Sequence, residues 1–258
     1  MFQHWSEERL LHRLVAFQEA IIMFKTLGVL GGMGPLATLD FAHKIIQNTP
    51  AQRDQEHIPM LIRSIPQIPD RTDCLMNDSA SPLTAMLQGL EELLSAGVEA
   101  IAIPCNTAHF WQPDLQAKSP VPVFHIAHAC SESLQQLQIS KVTLMATDGT
   151  LKAGFYPEIL SRQGIQLELP PADIQQKIMR GIYSVKSGNI ALGGKLLNNA
   201  FQSLLNQGFE RVILGCTEIP LALDHLGAEH LDRSLDATSA LASFCVDWSI
   251  SAQPLQAA

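Results

Sequence analysis

The chain has 258 residues, of which 47% are apolar and only 16% are charged, so it can bury a large core and is not intrinsically disordered. Its 17 basic and 25 acidic residues give a formal net charge of −8. The basic residues form no cluster, which argues against nucleic acid or anionic lipid as a partner, and no apolar run approaches the ~20 residues of a membrane helix.

The first 23 residues carry apolar side chains at helical spacing, from Leu10 to Ile22. A secretory signal needs an unbroken apolar core, whereas Glu7, Glu8 and Glu19 interrupt this segment. Two interpretations stay open. Residues 1–23 form an amphipathic N-terminal extension packed on the domain or on a partner subunit, or translation starts at Met23.

From Thr26 onward, short apolar runs alternate with helical stretches, which is typical of βαβ units and a parallel sheet. Glycines at 97, 164 and 208 fall where helices are expected to end in a left-handed residue. The predicted strands are 26–30, 59–64, 100–104, 121–124, 142–146, 165–169 and 211–214. The predicted helices are 36–48, 83–96, 129–137, 151–162, 172–181, 191–206 and 234–248.

The two halves of the chain repeat each other. TLGVLGGMG at 26–34 and KVTLMATDG at 141–149 are 115 residues apart, and AIAIPCNT at 100–107 and RVILGCT at 211–217 are 111 residues apart. The agreement of these offsets predicts a duplicated α/β unit with a pseudo-twofold axis. Ligands of open parallel sheets bind beyond the carboxyl ends of the strands, so Cys105 and Cys216 are expected to face one cleft from opposite sides.

Five cysteines occur, and none forms a CxxC pair, so a zinc site is not indicated and reduced thiols in the cytoplasm are expected. Cys74, Cys130 and Cys245 lack repeated contexts and are interpreted as packing residues. Cys105 and Cys216 suit racemisation, in which one base removes the Cα proton and an acid on the opposite face returns one. A free thiol has a pKa near 8.5, so the site must favour one thiolate through N–H groups, a helix N-terminus or a cation.

Polar residues near the two cysteines are candidates for assisting them and for binding an amino acid. His109 and Glu218 are candidate helpers of the thiols, and a surface or capping role is the alternative for His109. The donors Asn106, Thr107 and Thr217, with the Gly-rich loop 31–34, suit an α-carboxylate. A second carboxylate calls for a cation, and Arg71 and Lys186 are candidates, with a solvated loop position as the alternative for each.

Six ordered motifs resemble the aspartate/glutamate racemase family, and most closely its cofactor-independent aspartate racemase branch. They are GGMGPLAT (31–38), PQIPDRT (66–72), PCNTAH (104–109), ATDGT (146–150), MRGIYSVKSGN (179–189) and GCTEIPL (215–221). The resemblance implies two flavodoxin-like lobes, a homodimer, and activity without PLP, another cofactor or a metal. It implies a first lobe of 24–125 plus about 228–258, a second lobe of 126–227, and a last helix that returns to the first lobe.

The resemblance also implies roles for individual residues. Cys105 and Cys216 match the catalytic thiols, Asn106 and Thr107 match positions that hold the α-carboxylate, and Arg71 and Lys186 match basic residues near the acidic side chain of the substrate. The expected substrate-binding residues are Met33, Gly34, Gln67, Arg71, Thr72, Asn106, Thr107, Lys186, Thr217 and Glu218. The expected reaction interconverts L- and D-aspartate. Glutamate preference, dual specificity or isomerisation of another small dicarboxylate are the alternatives within the family.

Two interpretations from other classes compete with a racemase. The residues 32–37 satisfy the GxGxxA fingerprint of a nucleotide-binding oxidoreductase, but the acidic residue expected about 20 positions on, closing the second strand, is absent. That fingerprint also leaves the paired cysteine strands unexplained. A non-enzymatic amino-acid-binding module has no need of two symmetric thiols.

Overall fold

Two parallel β-sheets organise the computed structural model, which describes residues 24–251; the predicted N-terminal extension lies outside this range. The first sheet has the strand order β2-β1-β3 and the second β5-β4-β6-β7, with every pairing parallel. The strands are β1 (Leu27–Gly31), β2 (Met60–Ser64), β3 (Ala100–Ala102), β4 (Lys141–Ala146), β5 (Gln166–Glu168), β6 (Arg211–Gly215) and β7 (Ser234–Asp236). The order β5-β4-β6 repeats the order β2-β1-β3, which confirms the predicted pair of α/β lobes.

Helices connect and flank these strands. They are α1 (Pro35–Asn48), α2 (Arg71–Asn77), α3 (Leu83–Ser95), α4 (Gln112–Lys118), α5 (Ile126–Gln136), α6 (Asp148–Ala153), α7 (Phe155–Ser161), α8 (Ala172–Lys186), α9 (Ile190–Leu205), α10 (Glu218–Leu226) and α11 (Ala237–Ile250). Three 3₁₀ turns cover Asp54–Glu56, Thr107–Trp111 and Leu231–Arg233. No helix of residues 24–251 is long and apolar enough to cross a membrane.

Burial explains why the central strands could be recognised. Every residue of β1 and β3 is buried, as are all residues of β4 and β6 after the first, and strands covered on both faces are near-continuous apolar runs. The positive φ angles of Gly97, Gly164 and Gly208, between 72° and 85°, confirm the predicted left-handed residues after helices α3, α7 and α9.

Three predicted elements differ from the structure, and three helices were not predicted. The helix predicted over 151–162 is two helices, α6 and α7, because Gly154 takes a φ of 73° between them. The strand predicted at 121–124 is reduced to one bridge between Val123 and Ile101. The helix predicted from 234 begins only at 237, because residues 234–236 pair with β6 and the Asp236 side chain accepts a hydrogen bond from the Thr238 N–H. Helices α2, α4 and α10 were not predicted.

The C-terminal part of the described chain contacts both lobes. Strand β7 belongs to the second sheet, although the expected division places it with the first lobe. Helix α11 packs against α1 of the first lobe and against α5, and Lys44 of α1 lies 2.6 Å from Asp236 at the end of β7. The division of the chain at about 125 and 228 otherwise stays a prediction.

Candidate active site

A narrow cavity lies where the carboxyl ends of the two sheets meet. Its free volume is about 10 Å³, close to the room needed by one water molecule. Cys105 follows β3 and Cys216 follows β6, so equivalent strand ends carry both thiols to this cavity. The lining residues are Met33, Asp70, Arg71, Thr72, Cys105, Asn106, Thr107, Thr147, Lys186, Gly215, Cys216, Thr217 and Glu218.

The first thiol, that of Cys105, is only 7% exposed. The Cys105 N–H donates to the carbonyl of Ile103 at 2.8 Å, and Nδ1 of His109 donates to the carbonyl of Cys105 at 2.9 Å. Burial lowers the pKa of His109 to about 4, so this imidazole is neutral at pH 7. His109 therefore holds the backbone of the first thiol, and its help to the thiol itself stays a prediction.

The second thiol has a different environment. Cys216 is 6% exposed, and its Sγ donates to Oε2 of Glu218 at 2.9 Å. The Thr217 hydroxyl donates to the same oxygen at 3.2 Å. Burial and then the negative charge of Glu218 raise the pKa of Cys216 well above its usual value, and Lys186 offsets part of this effect. The arrangement keeps Cys216 protonated.

Donors for a carboxylate come from the residues that follow Cys105. The Oδ1 atom of Asn106 accepts a hydrogen bond from the Tyr156 hydroxyl at 2.6 Å, whereas Nδ2 is buried and has no partner among the described residues. The hydroxyl of Thr107 lies 2.9 Å from that of Thr147 and 2.8 Å from that of Thr150. Thr107 thus joins the loop after β3 to the second lobe, and Nδ2 of Asn106 is a donor available to a ligand.

The guanidinium of Arg71 lines the cavity but is largely occupied by backbone carbonyls. Nη1 donates to Ile68 at 3.3 Å and to Pro69 at 3.1 Å, and Nη2 donates to Met33 at 3.0 Å. Only Nε is buried without a partner among residues 24–251. Arg71 therefore ties the loop 66–70 to the Gly-rich loop, in addition to placing a positive charge at the cavity.

Lys186 brings the second positive charge, from the end of α8. Its Nζ lies 3.9 Å from Oδ2 of Asp70, across the cleft, and 5.9 Å from the ring centre of Tyr183. Burial lowers the pKa of Lys186, but nearby acidic groups, of which Glu218 contributes most, outweigh this and raise it overall. Lys186 is therefore a cation at the cavity, and its ion pair with Asp70 is a long one.

The remaining expected binding residues take three different positions. Gly34 is partly buried, and a Cβ atom there would lie 3.7 Å from Oε1 of Glu218. Thr72 is buried and packs so closely on Gly149 that a Cβ at 149 would lie 2.9 Å from the Thr72 Cα. Gln67 is exposed and does not line the cavity, so its contact with a substrate stays a prediction.

Several residues at the site were not predicted. Asp70, Thr147 and Gly215 line the cavity, and Tyr156 supports it from behind Asn106. Thr147 could have been inferred from the motif ATDGT, because this motif follows β4 in the same way as the Gly-rich loop follows β1. Within residues 24–251, no three metal-ligating side chains lie together.

Comparisons with known proteins identify the family and the fold. The family model described as Asp/Glu/Hydantoin racemase matches residues 30–245. The broad specificity amino-acid racemase RacX of Bacillus subtilis is 28% identical over 209 residues, which cover 79% of this chain and 89% of that protein. The aspartate racemase of Picrophilus torridus superposes with a TM-score of 0.77 at 27% identity, over 87% of this chain and 94% of that one. Glutamate racemase from Francisella tularensis, in complex with D-glutamate, shares the fold, with a TM-score of 0.64 at 16% identity over 88% and 81% of the two chains.

Proposed function

The chain belongs to the Asp/Glu/hydantoin racemase family of amino-acid racemases, and we propose that it interconverts L- and D-aspartate by two-base proton transfer between Cys105 and Cys216. One observation carries this proposal: equivalent strand ends of two repeated lobes bring both thiols to one cavity. A racemase is an isomerase, and inversion at Cα needs a base and an acid on opposite faces of that carbon.

The different environments of the two thiols support a proposal for their starting states. We propose that Cys216, whose Sγ donates a hydrogen bond to Glu218 at 2.9 Å, starts as the acid and that Cys105 starts as the base. The Cys105 thiolate removes the Cα proton of one enantiomer, and the Cys216 thiol delivers its proton to the opposite face. The product is the other enantiomer, with Cys105 protonated and Cys216 as the thiolate, and the reverse reaction exchanges the two roles.

The α-amino and α-carboxylate groups have separate partners in this proposal. The unpartnered Nδ2 of Asn106 and the hydroxyl of Thr107 bind the α-carboxylate, where they stabilise the negative charge that develops when Cα loses its proton. Glu218 binds the α-ammonium, since it is an acidic side chain that lines the cavity. An ammonium beside Glu218 neutralises the carboxylate that otherwise disfavours a thiolate at Cys216.

The distal carboxylate of aspartate is assigned to Lys186. Arg71 adds positive charge, but its Nη atoms are bonded to backbone carbonyls, so Lys186 is the cation that can move onto a substrate. Because the cavity has a free volume of only about 10 Å³, we propose that the two lobes move apart to admit an amino acid. Direct proton removal needs no Schiff base, and we propose that neither PLP nor a metal takes part.

Substrate breadth has two candidates. Aspartate is favoured by the likeness to the Picrophilus torridus enzyme, which is named an aspartate racemase. The likeness to RacX, named for broad specificity, supports an enzyme that also accepts glutamate or other amino acids. We further propose a cytoplasmic homodimer, as the family resemblance implies.

Incubation in D₂O tests the activity directly. L- and D-aspartate, and separately L- and D-glutamate, are followed by circular dichroism for inversion and by NMR for deuterium at Cα. The expected result is inversion of aspartate in both directions, with one deuterium at Cα of each product. If neither amino acid is inverted or exchanged, the racemase proposal is wrong.

Single substitutions test the two-base assignment. Cys105→Ser and Cys216→Ser are each expected to abolish inversion, because each leaves one face of Cα without its acid or base. Each variant retains slow deuterium exchange on one enantiomer only, and the two variants differ in which enantiomer exchanges. Cys74→Ser, at a partly exposed cysteine outside the cavity, is the matched control and is expected to keep full activity. Normal inversion by either Ser variant would refute the role of that thiol.

A further inference from the structure

A tyrosine outside the cavity makes a short contact with a residue of the site. Tyr156 lies on α7, in the connection between β4 and β5, and its side chain is completely buried. Its hydroxyl donates to Oδ1 of Asn106 at 2.6 Å, and Sγ of Cys130 lies 3.6 Å from the hydroxyl oxygen. The contact crosses between the lobes, since Asn106 follows β3 of the first sheet.

The direction of these hydrogen bonds determines which end of the amide faces a ligand. A tyrosine hydroxyl that donates to Oδ1 leaves Nδ2 as the free end of Asn106, and Nδ2 is buried without a partner among the described residues. An amide turned the other way would present its oxygen to the cavity and repel a carboxylate. The orientation of Asn106 therefore decides whether this side of the site attracts or repels an anion.

Cys130 reinforces that direction. Burial raises the pKa of Cys130 to about 12, an effect that the Tyr156 hydroxyl opposes, so the thiol keeps its proton. The thiol can then donate to the tyrosine oxygen, and the tyrosine proton is directed to Asn106. Hydrogen bonds arranged in one direction polarise each other, and this chain points from the core toward the cavity.

We propose that Tyr156 is a positioning residue, which holds the Asn106 amide with its Nδ2 toward the α-carboxylate of the substrate. The proposal rests on the proposed racemase function. It adds a residue that touches neither the substrate nor the thiols of Cys105 and Cys216 but sets the polarity of a binding group. Tyr156 also has no signal in the sequence, because the contact joins residues 50 positions apart.

Tyr156→Phe removes only the hydroxyl. Loss of a buried hydrogen-bond partner changes binding by roughly 10- to 100-fold, and we expect a decrease of that size in kcat/KM for aspartate, expressed mainly as a higher KM. Thr143→Val is the matched control: it also removes a buried hydroxyl, one on β4 without a hydrogen-bond partner in the described structure, and it is expected to leave kcat/KM unchanged. Wild-type kinetics in Tyr156→Phe would overturn the proposal.

A double-mutant cycle separates positioning from a general effect on folding. In an Asn106→Ala background, Tyr156→Phe is expected to cause no further loss of kcat/KM, because the group that it positions is gone. Losses that multiply would show that Tyr156 acts independently of Asn106, and the proposal would be wrong.

A measurement without turnover keeps the two proposals distinguishable. The side-chain amide resonances of Asn106 can be assigned in ¹⁵N-labelled protein by their disappearance in Asn106→Ala. We expect them to shift in Tyr156→Phe and to stay in place in Thr143→Val, whether or not the protein racemises aspartate. Unmoved resonances in Tyr156→Phe would refute the positioning role, whereas absent racemisation with shifted resonances would refute only the proposed activity.

Discussion

Glu218→Gln tests the electrostatic difference between the two thiols. Glutamine keeps the length of the side chain and an oxygen that can accept the Cys216 thiol proton, 2.9 Å away in the native protein, but it removes the negative charge. Since burial and that charge together raise the pKa of Cys216, the substitution is expected to lower it. Two unit charges about 4 Å apart interact by about 4 kcal/mol in an effective dielectric of 20, so the change is measurable even though Lys186 offsets part of it.

Alkylation of the free enzyme measures this pKa directly. A Cys105→Ser background removes the other thiol of the cavity, and mass spectrometry identifies iodoacetamide labelling at Cys216 across the neutral and alkaline pH range. The rate follows the thiolate fraction. With Glu218 present, labelling of Cys216 starts only at high pH, and in Glu218→Gln the same rise is expected at lower pH.

Two observations decide the outcome. Glu132→Gln, on an exposed position of α5, is the matched control and is expected to leave the labelling profile of Cys216 unchanged. A profile that stays in place in Glu218→Gln, or that moves to higher pH, would refute the assignment of Glu218 as the charge that keeps Cys216 protonated.

Two other substitutions test the closure of the cleft and the binding of the distal carboxylate. Gly149→Ala places a Cβ 2.9 Å from the Cα of Thr72. It is expected to lower the free energy of unfolding by about 1–3 kcal/mol, as overpacking does. It is also expected to lower kcat/KM, because the added Cβ holds α2 away from α6. Urea unfolding and kinetics measure both effects, and native values of both would contradict the tight packing. Lys186→Met is expected to reduce binding of aspartate much more than binding of asparagine, measured by calorimetry, and equal losses would remove Lys186 from the distal carboxylate.

The elements that could be predicted are those whose identity is set locally. The strands β1, β4 and β6 are buried apolar runs, and the positive φ at Gly97 and Gly208 follows from the need for glycine in a left-handed conformation. Strand β7 could not be predicted, because a three-residue stretch with one apolar side chain becomes a strand only by pairing with β6. Helix α10 was missed because it begins directly at Glu218, inside a motif that was interpreted for its chemistry.

The residues of the site also divide into those that the sequence could predict and those that depend on contacts distant in sequence. Cys105 and Cys216 were recognisable because a repeat in the sequence corresponds to a repeat in the fold. The environment of Arg71 could not be recognised from the sequence. Its guanidinium donates to the backbone carbonyls of Pro69 and Met33, and backbone carbonyls carry no sequence signal. Tyr156 and Thr147 were missed for the related reason that their contacts cross between lobes.

The unequal environments of the two thiols must still satisfy a thermodynamic constraint. L- and D-aspartate have equal free energies in water, so the ratio of kcat/KM for the two directions must equal one at every pH. Glu218, which favours a protonated Cys216, therefore cannot make the enzyme faster overall for one enantiomer. It can only make kcat and KM differ between the two directions, and they must differ by the same factor so that kcat/KM stays equal.

This constraint makes the separate kcat values, and not kcat/KM, the quantities that Glu218→Gln can test. Any active variant changes kcat/KM for L- and D-aspartate by the same factor. If Glu218 makes Cys105 and Cys216 unequal, Glu218→Gln also changes the two separate kcat values in different proportions. Initial rates in both directions, measured on one preparation at several pH values, give both quantities. A ratio of kcat for L-aspartate to kcat for D-aspartate that stays at its wild-type value in Glu218→Gln would refute the assignment of Glu218 as the group that makes the two thiols unequal.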